Sequence, residues 1–156
     1  MSLKTENFFH GRRKGRKLSS ANLKLLEDFG HKFYLRDDEV NNLEIKQYDK
    51  IILEIGFGNG ENLINLSLNK PNDLFIGCDA YINACVKLLK QIVKKNIQNI
   101  RIWPNDIHLI IKKFKKNFFD LILILHPDPW PKKKHKKRRL IQQNFLDDIS
   151  KVLKSE

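Results

Sequence analysis

The stretch IILEIGFGNGE, Ile51 to Glu61, joins a short apolar run to a turn built on Gly56, Gly58 and Gly60. A run of this length rich in isoleucine reads as a buried strand. Glycines directly after a strand and before a helical segment give the tight turn and close backbone approach that nucleotide-like ligands need. The dinucleotide fingerprint G-x-G-x-x-G fails here, because Glu61 stands where its last glycine belongs. An acid at that point would also oppose a pyrophosphate at the helix N-terminus.

Outward from this turn the same pattern recurs. LFIGC (74 to 78), IRIW (100 to 103) and FDLILIL (119 to 125) are apolar runs without polar alternation, and each precedes a segment suited to a helix. This βαβ order predicts an α/β fold, a parallel sheet with helices on both faces. In the usual doubly wound order FDLILIL lies beside the first strand. A last helix, roughly Arg139 to Leu153, turns Leu140, Phe145, Ile149, Val152 and Leu153 to one side. The other edge of FDLILIL then awaits further strands, and an open apolar edge is an aggregation hazard. The expectation is therefore a single incomplete domain over residues 19 to 156, with the C-terminal strands of its sheet absent and a partner chain as one possible source of them. Residues 1 to 18 lack apolar periodicity and read as a basic flexible arm, after which Ser19 or Ser20 caps a short helix carrying Leu23, Leu26 and Phe29 as far as Gly30.

A glycine turn between Glu54 and Glu61 suits a ligand that is positively charged and free of phosphate. S-adenosylmethionine, with a sulfonium, an ammonium and a ribose diol, is such a ligand. Asp79 closes the second strand about twenty residues past the loop, where an acid can accept from both ribose hydroxyls. Asp106, in WPND after the third strand, is placed to meet an adenine amino group. Each acid has a second reading as an N-cap of the following helix.

The charge is concentrated. RRKGRK (12 to 17) holds five Lys or Arg and KKKHKKRR (132 to 139) holds seven, with no acid in either. Removing those twelve from the total of 30 bases leaves 18 against 18 acids, so the whole net charge of +12 lies in two blocks. That footprint fits a phosphate backbone. Neither block is interleaved with the apolar residues of a membrane-surface helix, and no apolar run is long enough to span a bilayer. Cys78 and Cys85 form no disulfide framework or CxxC pair, and His10, His31, His108, His126 and His135 lack ligand spacing. These features predict a cytoplasmic protein without metal or membrane partners.

With these residues in place the chain resembles the bacterial tRNA (guanine-N7)-methyltransferases, class I enzymes that use S-adenosyl-L-methionine. GRRKGRKLS, LEIGFGNGE and HPDPWPKKKHKKRRLIQQNFL carry the resemblance, which runs from about Gly11 to the end. It implies a Rossmann-like fold and methyl transfer to N7 of a guanine in the tRNA variable loop. It also implies that Glu54, Asp79 and Asp106, with Gly56, Gly58 and Gly60, hold the cofactor. Asp128 is implied to sit at the catalytic centre and near the cofactor, and Lys132 to contact substrate. Lys134, His135, Lys136, Lys137, Arg138 and Arg139 would lie along the RNA, with Arg12, Arg13, Lys14 and Arg16 of the arm closing over it. Two departures stand out: His126 replaces the family's usual aromatic, and the family's later strands and Thr-x-Phe-Glu segment are missing.

Guanine N7 carries a lone pair and no proton, so Asp128 suits a positioner and counter-charge better than a base. Pro127 and Pro129 stiffen its turn, and Trp130 offers either a stacking face or a core side chain. Three alternatives remain at this stage: an exocyclic amino methyltransferase acting on RNA, an inactive RNA-binding remnant, and one piece of a split enzyme.

Overall fold

The computed structural model describes Gly11 and residues 13 to 155. Arg12 and the first ten residues of the arm, His10 among them, lie outside the described residues, as does Glu156.

Four strands, β1 (Ile51–Ile55), β2 (Leu74–Cys78), β3 (Ile100–Trp103) and β4 (Leu121–Leu123), form one parallel sheet in the order β3-β2-β1-β4. Four α-helices, α1 (Ser20–Phe33), α2 (Glu61–Asn69), α3 (Ile82–Lys94) and α4 (Gln143–Val152), accompany them. Every residue of β1 and β2 is buried, which is why these runs do not alternate with polar residues. The period of two still sorts them by face. Ile51, Leu53 and Ile55 pack with Phe119, Phe145 and Ile149, whereas Ile52 packs with Leu63, Leu88 and Phe33 from α2, α3 and α1. The sheet is thus covered on both sides, as the sequence predicts.

Four boundaries differ from expectation, each for a local reason. Helix α1 runs past Gly30 to Phe33, whose ring is 2% exposed in the core that α3 shares, so packing outweighs glycine's poor propensity. The segment after β3 forms two 3-10 turns, Ile107–Leu109 and Ile111–Lys113, instead of a helix, because Ile110 between them sits at φ −120°. Strand β4 is limited to the three residues that face Ile52 to Glu54. Phe119 bridges instead to Leu153, after α4. Helix α4 starts at Gln143 rather than Arg139, and Lys133–Arg138 forms a separate 3-10 turn with no buried residue. Cations at a helix N-terminus oppose its dipole, which favours that separation.

At the open side of β4, Leu121 is 46% exposed. Among the described residues no helix is long and apolar enough to cross a membrane, and no group of His, Cys, Asp and Glu is arranged to hold a metal ion.

Candidate cofactor and RNA site

The site lies at the carboxyl ends of the strands, where a parallel sheet leaves a crevice. Gly56, Gly58 and Gly60 have φ of +75°, +56° and +75°, the left-handed region that side chains disfavour. They serve different ends. A Cβ on Gly60 would lie 2.7 Å from Cδ1 of Leu88, so this glycine lets the loop press on α3. Gly56 and Gly58 face open space, with nothing within 4 Å of an added Cβ. The loop is fixed below, since the Gly56 N–H donates to the Cys78 carbonyl at 2.7 Å, and on its flank, since Lys87 Nζ donates to Asn59 Oδ1 at 2.8 Å.

Glu54, Asp79 and Asp106 stand at or just past the ends of β1, β2 and β3. Glu54 is 3% exposed, and its Oε2 accepts from Asn62 Nδ2 at 2.9 Å. Burial raises its carboxyl above the ordinary range, and the Asn62 bond offsets only part of that. Asp79 accepts from the Gly58 N–H at 3.0 Å through Oδ2 and from the Tyr81 N–H at 2.9 Å through Oδ1. Its carboxyl is also raised, chiefly by burial, with the negative charge of Asp128 acting in the same direction. Asp106 is buried; its Oδ1 accepts from the His108 N–H at 3.0 Å and lies 2.8 Å from His108 Nδ1. Burial would raise its carboxyl, but the His108 bonds and charge and the charge of Arg13 bring it below the ordinary value.

The capping alternative is therefore realised at Asp106, which caps the first 3-10 turn. It uses one oxygen only. Asp106 Oδ2 is buried with no hydrogen-bond partner, which is costly unless a donor arrives from elsewhere. An open glycine cradle, a carboxylate with spare lone pairs at Asp79 and this orphaned acceptor together fit a ligand bearing hydroxyl and amino donors. That is the donor set of S-adenosylmethionine.

Asp128 follows β4 and is exposed, as is Lys132. Lys134, Lys136, Lys137 and Arg138 are exposed on the 3-10 turn, with His135 and Arg139 half-buried. The basic block also holds the turn in front of it. Arg139 donates to the Trp130 carbonyl through Nε at 3.3 Å and through Nη2 at 3.2 Å. The Arg138 guanidinium lies 5.0 Å from the Trp130 ring centre, and His135 meets that ring edge-on at 5.5 Å. Trp130 itself has φ +37°, so the turn needs such support. From the arm, Arg13, Lys14 and Arg16 are exposed and border the start of α3. Sequence reasoning passed over Asn62, Asn83 and Lys87. Only the D-x-H spacing that pairs His108 with Asp106 leaves a trace in the sequence.

The fold is that of the Rossmann-like class I methyltransferases. A solved structure described as an antibiotic-related methyltransferase superposes with a TM-score of 0.61 at 25% identity, covering 78% of this chain and 61% of that one. Residues 48–156 match a family described as "Putative methyltransferase", and the chain belongs to that family. Among curated relatives, a tRNA (guanine-N(7)-)-methyltransferase of Neorickettsia sennetsu is 34% identical over 144 residues, 92% of this chain and 63% of the relative. A protein of the same name from Wolbachia pipientis wMel is 45% identical over 109 residues, 70% of this chain and 49% of the relative. The chain thus spans 63% and 49% of the length of these two relatives.

Proposed function

We propose that the protein transfers a methyl group from S-adenosyl-L-methionine to N7 of a guanine in tRNA. The observation that carries this reading is geometric: an open glycine cradle braced by Asp79, with the orphaned Asp106 Oδ2 left to accept a donor. Asp128, exposed between β4 and the basic block, stands near enough for its negative charge to add to the burial that raises the Asp79 carboxyl beside the glycine loop. The names and identities of the two relatives support the tRNA guanine as target.

When bound, the cofactor supplies an electrophilic methyl group on a sulfonium. Asp79 and Glu54 would hold its hydroxyl and ammonium donors, and Asp106 Oδ2 its adenine amino group. Asp128 accepts the N1 and amino hydrogens of the guanine, turning the opposite edge, with N7, toward the cradle. No proton has to leave before transfer, so the residues contribute alignment, worth about 7 kcal/mol or more in well-oriented reactions. Asp128 also lies near the positive charge that develops on the purine. The basic block and the arm grip phosphates and set the register of the RNA without reading its bases.

Product analysis tests the reading. Unmodified tRNA incubated with the protein and methyl-labelled cofactor should yield 7-methylguanine, which carries a fixed positive charge. Label recovered in a neutral methylated amino group, or in no base, would contradict it.

A further inference from the structure

Three hydrogen bonds join the basic arm to the first turn of α3. The Ile82 N–H donates to the Arg13 carbonyl at 3.0 Å. The Gly15 N–H donates to Asn83 Oδ1 at 2.9 Å, and Asn83 Nδ2 donates to the Arg16 carbonyl at 2.9 Å. One amide side chain thereby satisfies a donor and an acceptor of the arm, as the edge of a neighbouring strand would. The register is fixed from the other side too. A Cβ on Gly15 would collide with the Tyr81 hydroxyl and lie 3.0 Å from Asn83 Oδ1, so a larger residue there would have to displace the Tyr81 side chain.

The seat adjoins the cofactor crevice. The Tyr81 N–H bonds Asp79, the next residue's N–H bonds Arg13, and the charge of Arg13 is felt at Asp106. On either side of Gly15 the side chains of Arg13, Lys14, Arg16 and Lys17 are exposed.

We propose that Asn83 is a positioning residue for RNA: it seats residues 13 to 16 so that Arg13, Lys14 and Arg16 present ordered cations to tRNA phosphates beside the cofactor crevice. The inference rests on the RNA reading above. Ordering the arm in advance spares the complex part of the conformational entropy that an unseated segment would lose on binding.

The test is tRNA binding measured over a range of salt concentrations for the wild type, Asn83→Ala, Gly15→Ala and Lys14→Ala, alone and combined. Asn83→Ala and Gly15→Ala, which unseat the arm from opposite sides, should each weaken tRNA binding about tenfold. Each should also lower the slope of log K against log salt by about 1, one phosphate contact or slightly more. Cofactor affinity, by calorimetry, should remain within about twofold of wild type, as tight as for an unaltered fold. Lys14→Ala should cost affinity in the wild type and far less once Asn83→Ala is present, the non-additivity of two residues acting through one seat. Equal cost of Lys14→Ala in both backgrounds, or an unchanged salt slope in both unseating variants, would overturn the seat while leaving the RNA reading intact. Wild-type protein that binds tRNA without salt dependence, or not at all, would overturn both.

Discussion

One carboxylate, Asp79, ties the glycine loop to the end of β2, its Oδ2 accepting the Gly58 N–H at 3.0 Å while Oδ1 accepts the Tyr81 N–H at 2.9 Å. The same group is thus a brace for the loop and an acceptor facing the crevice. Because burial and Asp128 raise its carboxyl above the ordinary value, it protonates at a higher pH than a free aspartate, near 4 by model peptides. Cofactor affinity should therefore fall as the pH drops, with an inflection above about 4. Calorimetry across pH measures it, and Asp79→Asn should bind about tenfold more weakly and lose that inflection. An inflection that survives the substitution would belong to another group.

Glu54 gives the opposite sign for stability. Its folded carboxyl is raised above an unfolded value of about 4.3, so the stability it contributes is fully present below that value and lost as pH rises through the folded one. At neutral pH the buried charge is a net cost. Glu54→Gln keeps an oxygen for Asn62 and removes the charge, so its denaturant midpoint at pH 7 should exceed that of the wild type. The difference should vanish below about pH 4, while cofactor binding falls at neutral pH.

The glycines separate strain from space. Gly58→Ala should cost about 1–2 kcal/mol of stability, the penalty of a left-handed alanine, with a larger loss of cofactor affinity because its Cβ enters the open cradle. Gly60→Ala carries the same strain and also meets Leu88, adding about 1–3 kcal/mol. Thermal unfolding and cofactor titration of both variants would establish the contrast, which equal unfolding costs would refute.

The sheet was legible because its signal is local: IILEI, LFIGC and IRIW occupy β1, β2 and β3 at the boundaries read from composition alone. FDLILIL overreached because only Leu121 to Leu123 pair with β1, while Phe119 bridges to Leu153 after α4. The helical spacing of Ile107, Ile110, Ile111 and Phe114 was real, but it served core contact through two 3-10 turns, a tertiary outcome that periodicity does not encode. At the site, glycines and acids announce themselves through residue type. Their partners do not: Asn62, Asn83 and Lys87 are ordinary helix-surface residues until the fold brings Glu54, the arm and Asn59 to them. The Arg138 and Arg139 contacts to Trp130 were hidden for a similar reason, since a basic block reads as a partner surface before it reads as support for its own turn.

Whether Asp128 aligns a tRNA guanine for methylation at N7 is read most directly by single-turnover transfer of labelled methyl, comparing the wild type with Asp128→Asn at saturating tRNA. Label should appear in 7-methylguanine with the wild type and fall about a hundredfold or more with Asp128→Asn, at similar tRNA affinity. Transfer that persists in Asp128→Asn at the wild-type rate, or a wild type that binds cofactor and tRNA yet leaves N7 unlabelled, would contradict it.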